Sequence, residues 1–296
     1  MAAAWLVNRP ILYPILQNHP GLYGYTPLYT TLAGESFLGV WLHWDAVHYI
    51  NLAIGGYFGN ITGDSVFYPL YFLLIRWFGR PFHTDLVLVS LTLSTLATFF
   101  ALVFLYRIAD HFYGTQTARW SVIALAIYPT SLFLIGPYTE SLFIALTLAA
   151  FWFAYQGSWL WVGLFGALGS LSRGPGMYTT AALIWPAVHQ LGLMRSDWDK
   201  IPRRRRALVL IGLGMPIAAG VAFLAWKHWA GFPSLIEVYR NNTHWIVADP
   251  ITALSLAILA CVRAPDFITI LEAASAVVFL GFTVLLIVKP RWRRIE

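Results

Sequence analysis

The fold class predicted by this sequence is an all-α, polytopic integral membrane protein, and three observations carry the prediction. Hydrophobic residues fill 59% of the 296 positions, and the mean hydropathy is +0.66. Charged residues supply only 11%, against about 25% in ordinary soluble domains. Apolar, charge-free windows of about 20 residues, long enough to span a bilayer as helix, recur along the chain. That composition excludes a soluble globular enzyme. A β-barrel is excluded by pattern, because a run such as 86–106 lacks the period-two polarity of barrel strands.

Taken in order, the first 39 residues contain no charge-free run of spanning length, so the sequence does not decide whether a helix opens the chain. Asn8, Arg9 and Pro10 follow Val7 directly, which is not the order of a cleaved signal peptide, and targeting is expected from the spans themselves. Residues 40–84 are polar and aromatic and read as a large outer loop carrying short surface helices. Spans are expected at 85–106, 120–136, 140–155, 159–171, 177–191, 208–229 and 268–288, within a total of roughly seven to nine. Pro and Gly punctuate them at Gly136-Pro137, Gly157-Ser158 and Gly174-Pro175-Gly176. Helices broken in this way are tolerated where water or protein lines the break. The whole, 1–296, reads as one domain.

Basic residues orient it. Ten of the nineteen Lys and Arg lie in two clusters, six within 195–206 and four within 289–294, and such clusters stay on the cytoplasmic side. They mark orientation and not nucleic-acid binding. With 193–206 as a cytoplasmic loop, counting through the spans puts 107–119 inside as well. The same count puts the 40–84 loop, the Tyr138-Thr139-Glu140 turn and the Arg173 break outside. A second outer loop, 231–250, carries Glu237, Tyr239, Arg240, Asn241, Asn242, His244 and Asp249. The C-terminal cluster falls inside if 252–262 lies in the interface without crossing. Cys261, the single cysteine, forms no internal disulfide and reads as a small buried hydrophobe.

The residues with chemistry to offer sit on the outer side. Trp41-Leu42-His43-Trp44-Asp45-Ala46-Val47-His48-Tyr49 sets one carboxylate among aromatics and two histidines. If the segment is helical, Asp45 and His48 share a face at i,i+3. The plain alternative is an interfacial aromatic belt with Asp45 as a helix cap. A metal site from His43, Asp45 and His48 fits no common structural spacing. Glu140 reads either as a sugar-contacting group or as a first-turn acid behind a Thr139 cap. Arg173 reads either as an anion-binding cation or as a snorkelling interfacial residue.

Residues Trp44-Asp45-Ala-Val-His48-Tyr49-Ile-Asn-Leu-Ala53-Ile-Gly-Gly56-Tyr57, followed by Phe67-Tyr68-Pro69-Leu70-Tyr71, resemble the first outer loop of the PIG-V class of mannosyltransferases. These add the second mannose of GPI anchors; the class and its prokaryotic relatives are of GT-C type. Tyr128-Pro129-Thr130-Ser131-Leu-Phe133 and Pro137-Tyr138-Thr139-Glu140-Ser141-Leu142-Phe143 are similar to the next signature. Ser172-Arg173-Gly174-Pro175-Gly176 is similar to a third. The chain departs from the class in its undecided first helix and in stopping at Glu296, so a shortened or truncated member is expected.

The resemblance implies an inverting transfer of a sugar, mannose above others, from a polyprenyl-phosphate donor to a lipid or glycan hydroxyl at the outer face. The membrane would be the plasma membrane of a bacterium or archaeon, or the endoplasmic reticulum of a eukaryote. Phosphate leaves without protonation, so one base suffices. Asp45 is expected to be that base. His48, Glu140, Arg173, Tyr138, Trp44 and His43 are expected to bind substrate, with Arg173 and then His48 as cations near the phosphate. No metal or cofactor is expected, although a weak divalent cation completed by the donor phosphate is compatible with the site. The alternative from another class is a transporter or flippase for a lipid or sugar.

Overall fold

The computed structural model describes residues 41–42, 44–57, 62–82, 84–128, 130–192, 200–234 and 237–238, together with scattered helical positions between 252 and 285. Every regular element among the described residues is helical. The chain divides into two compact units, Met1–Pro233 and Ser234–Glu296.

In the first unit, α1 (Asp45–Gly55) buries Val47, Ile50, Leu52 and Ala53. It ends where Gly56, at φ 70, turns its N–H back to Leu52 O. A 3₁₀ turn, Thr62–Val66, leads to α2 (Pro69–Gly79). Pro69 suits the first helical position because the N–H it lacks would have no intrahelical partner there. Tyr71, Phe72 and Ile75 of α2 close a core with the apolar face of α1 and with Val87 and Leu91. The stretch expected as a loop with short surface helices thus holds two helices that share a core with residues Val87 and Leu91 of the helix that follows.

Next comes α3 (Leu86–Tyr113), 28 residues long, or about 42 Å at 1.5 Å per residue. Asp85 caps it by accepting from the Val87 and Leu88 N–H groups at 2.7 and 3.3 Å. The helix runs on to Gly114, at φ 83, well past the expected end at 106. Arg107, Asp110 and His111 end the apolar run without ending the helix, because a helix longer than the roughly 30 Å hydrocarbon layer can carry polar residues beyond it.

The continuous span expected at 120–136 is not found. Instead α4 (Thr115–Ile127) stops at an extended Tyr128, and a single turn, α5 (Leu132–Ile135), follows. Tyr128 precedes a proline, and that position disfavours helix. The next helix, α6 (Glu140–Tyr155), has the expected bounds, and α7 (Trp159–Ser172) nearly so. The span expected at 177–191 becomes a 3₁₀ turn, Gly174–Tyr178, and α8 (Thr179–Gln190).

The last helix of this unit, α9 (Arg203–Trp229), takes Arg203 to Arg206 into its first turn. Four of the fourteen residues of the basic loop expected at 193–206 are therefore helix, while 193–199 lie outside the described residues. Arginine is a good helix former, and charge alone does not break a helix.

Glycines let α7 and α9 pack closely. A Cβ on Gly166 would stand 2.5 Å from Pro216 Cγ, and one on Gly212 would stand 2.6 Å from Trp159 O. Small residues at helix contacts are the usual means of tight packing in membranes. Helices α3 and α9 are long and apolar enough to cross a membrane, and Leu96, Phe99, Phe100, Leu210 and Ile217 on them are exposed. In the second unit, Ser234 begins a helical turn by accepting from Val238 N–H at 3.0 Å through its carbonyl and from Glu237 N–H through its hydroxyl. Helical positions such as Val277, Val278 and Phe282 there are exposed. Cys261, residues 289–294 and most of 231–250 lie outside the described residues.

Candidate functional site

Three separated segments converge at one end of the first unit: the start of α1, the turn before α6 and the break after α7. Asp45 is the first residue of α1, and Trp44 is its N-cap without a side-chain capping bond. The reading of Asp45 as a capping residue is therefore corrected. Trp44 has φ 48 and ψ −129, the one positive-φ non-glycine among the described residues. A side chain held in such a region costs about 1–3 kcal/mol and persists only where its surroundings enforce it. Trp44 packs against Phe133 at 5.8 Å between centroids, and Phe133 meets Tyr138 edge-on at 5.0 Å.

The turn carrying Tyr138, Thr139 and Glu140 is fixed from below. Buried Tyr71 donates to Ser90 O at 3.1 Å and lies 2.7 Å from Ser94 Oγ, which in turn donates to Tyr138 O at 3.4 Å. Thr139 makes no capping bond to α6, which corrects the expected cap. Its hydroxyl meets the Tyr49 hydroxyl at 3.2 Å and accepts from Arg173 Nη1 at 3.5 Å. Tyr49 and Thr139 thereby join α1, α6 and the Arg173 break, a role the sequence reading did not give them.

Arg173 is ion-paired with Glu140 through Nη1 and Oε1. Burial alone would lower its pKa, but the hydrogen bond and charge of Glu140 outweigh that, with help from Tyr49 and Asp45, and raise it. The guanidinium stays charged. Its side chain keeps 40% of its surface accessible, which leaves donors for an anion beyond the pair with Glu140.

Asp45 is reachable by solvent, yet enough protein stands around it that burial raises its carboxyl above the usual range. His48 opposes the rise, Glu140 adds to it and Arg173 opposes it. Asp45 is thus accessible to a ligand yet crowded enough by protein to be solvated less well than a free carboxylate. Burial also raises the hydroxyls of Tyr49 and Tyr138, so both remain neutral at physiological pH.

His48 lies one turn along α1 from Asp45. Its Nδ1 is 2.5 Å from Oδ1 of Asp64 in the Thr62–Val66 turn, and its ring stacks on Phe67 with centroids 5.0 Å apart. Asp64 is nearly buried, at 5% exposure, and was not among the expected site residues. Sequence spacing gave no sign of it, because the pairing closes across 16 residues. The structure thus brings together Asp45, His48, Glu140 and Arg173, with Trp44 and Tyr138 beside them through Phe133; His43 lies outside the described residues. No three of His, Cys, Asp and Glu among the described residues converge on a metal-sized site.

Beside this cluster runs a cavity of about 490 Å³, lined by Gly56, Tyr57, Phe72, Leu73, Leu171, Phe223 and Trp226 among others, with Arg76 the one charged residue on its wall. The Tyr57 hydroxyl donates to Phe67 O at 2.6 Å, and Phe67 is the ring that supports His48. The cavity and the polar cluster are neighbours.

The chain matches a family model described as Mannosyltransferase (PIG-V) over residues 16–246. No curated protein and no solved structure matches it. The matched region includes every element of the cluster.

Proposed function

The chain belongs to the PIG-V mannosyltransferase family, and from that premise we propose that it is a multi-pass membrane enzyme working by inversion at the outer face. The donor is a polyprenyl-phosphate mannose and the acceptor a hydroxyl of a lipid or glycan. One observation carries the mechanism: an accessible carboxylate, Asp45, stands within electrostatic reach of Arg173 and one helical turn from His48.

The acceptor oxygen attacks the anomeric carbon from the side opposite the phosphate, and its proton passes to Asp45 as the new bond forms. The bond from the anomeric carbon to the phosphate oxygen breaks, and its electron pair leaves with the phosphate. One displacement inverts the centre. The leaving phosphate needs no proton, unlike the alkoxide released in glycoside hydrolysis, where a second carboxyl serves as acid. Asp45, raised above the usual carboxylate range, is closer to the ideal for a base working near neutrality.

Charge grows on the phosphate as it leaves, so a cation fixed beforehand favours the transition state over the ground state. Arg173 serves there, its fork aimed by Glu140 and Thr139. Trp44 and Tyr138 border the sugar, and the neighbouring apolar cavity supports an isoprenoid chain as the donor's tail. The reaction as written runs without a metal.

Transfer of labelled mannose from a polyprenyl-phosphate donor, by purified protein in vesicles containing host lipid extract, tests the reading. The expected product carries the label in a new glycosidic bond of inverted configuration, and its formation survives chelation. Label that crosses the vesicle without a new bond would instead favour the transporter reading. Activity lost on chelation and restored by Mg²⁺ would recast Asp45 as a metal ligand.

A further inference from the structure

We propose that Asp64 is a positioning residue that fixes the tautomer and aim of His48, so that His48 Nε2 is the atom offered to the sugar or phosphate beside Asp45. The proposal rests on the reading of Asp45 and His48 as part of the transfer site. Its geometry stands independently of the donor's identity.

Asp64 Oδ1 lies 2.5 Å from His48 Nδ1. An ionised carboxylate only accepts, so Nδ1 carries the proton. That holds whether the ring is neutral or charged. The two ends of the pair differ in exposure: the side chain of Asp64 is 7% accessible and that of His48 27%. The ring is therefore held at Nδ1 by the more buried partner. Phe67 stacks on the ring face at an interplanar angle of 20°, which limits its rotation. Among the described residues Nε2 has no hydrogen bond, and Asp45 is close enough for His48 to influence its ionisation. A nearly buried carboxylate is costly unless paired, and this one is spent on orienting a histidine one helical turn from Asp45. Outer partners of this kind set which ring nitrogen works and where it points.

Selective ¹⁵N labelling of histidine in the full chain, in nanodiscs, reads the tautomer, with His48 assigned by its loss in His48→Gln. The wild type is expected to show protonated Nδ1, and Asp64→Asn, whose amide can donate to Nδ1, to shift His48 toward protonated Nε2. Mannosyl transfer by Asp64→Asn should fall about 10- to 100-fold, as for other partners that orient a working histidine, mainly in kcat, with the apparent Tm near wild type. In a His48→Gln background the same change should cost nothing further. A wild-type spectrum with Nε2 protonated and Nδ1 bare overturns the proposal even if Asp64→Asn fails to fold. Full turnover by Asp64→Asn, or an undiminished loss in the His48→Gln background, also overturns it. Should the wild type transfer no mannose at all, the proposed function fails, while the tautomer measurement still decides the orientation of His48.

Discussion

As the proposed base, Asp45 links activity to stability through its raised pKa. A base must be ionised to act, so turnover should fall as pH drops through its folded pKa, which burial places above the usual range. The acid limb of the rate profile is then displaced upward from that of an ordinary aspartate. Stability runs the other way. A carboxyl whose pKa is raised on folding binds more protons in the native state than in the unfolded one, so its contribution is fully present below the unfolded pKa and is lost as pH rises through the folded pKa. At neutral pH the ionised group is a liability. Asp45→Asn should therefore lower transfer by about 10²–10⁴-fold, the range for a lost general base, while raising the apparent Tm at pH 7 and leaving it unchanged in acid. Transfer assays and melting curves across pH check both halves. More than a tenth of wild-type turnover retained would move the base elsewhere, with Glu140 the next residue to examine.

The residue just before it makes a second test. Trp44 sits at φ 48 and is 55% exposed. Trp44→Ala and Trp44→Gly both remove the ring and its contact with Phe133, but only glycine relieves the backbone. Trp44→Gly should then be the more stable of the two by about 1–2 kcal/mol, the reverse of their usual order. Equal melting temperatures would mean that the φ value stores no strain.

Among the elements, the packing of α7 on α9 separates two glycines that look alike in the sequence. Gly212 has no room for a Cβ against Trp159, whereas a Cβ on Gly214 meets nothing within 4 Å. Gly212→Ala should cost about 1–3 kcal/mol by overpacking. Gly214→Ala should stabilise the helix by about 0.5–1 kcal/mol, the penalty of a mid-helix glycine. Thermal unfolding in detergent ranks the two; if both changed stability alike, the tight contact would be wrong. Which glycine matters is set by a neighbour 53 positions away, Trp159, and no local pattern reveals it. The helices themselves were more legible. Glu140–Tyr155 stands as expected because Gly136-Pro137 and Gly157 delimit it in the sequence. The ends of α3 and α9 were missed because the apolar run stops where the hydrocarbon would, while the hydrogen-bond ladder continues into charged residues. The site divides in the same way: the Asp45, Glu140 and Arg173 motifs were readable, whereas the His48–Asp64 pair forms only when the intervening chain folds back.

Across the whole first unit, the two ends of the α6, α7 and α8 helices differ in chemistry, and this gives the orientation a structural footing. At one end, Glu140, Thr139 and Arg173 meet Tyr49. At the other, Gln190 donates to Ala154 O and accepts from Trp159 Nε1 at 2.9 Å, joining the C-terminal end of α6, the start of α7 and the end of α8. Arg107 lies over the Trp152 ring near that second end, 6.0 Å from its centroid. The three helices therefore alternate in direction, and basic residues gather at the Gln190 end: Arg107 and Arg119 around the α3–α4 junction, and Arg203 to Arg206 at the start of α9. Positive residues are retained on the cytoplasmic side, which supports the proposed orientation, with the Gln190 end facing in and Asp45 and its partners facing out. With Cys261→Ser as background, a cysteine at position 62 should react with an impermeant thiol reagent applied to intact cells. One at position 200 should react only after permeabilisation. Labelling of position 200 from outside, with 62 protected, would invert the molecule and put the site on the cytoplasmic face, where the proposed donor would have to present its sugar from the opposite leaflet.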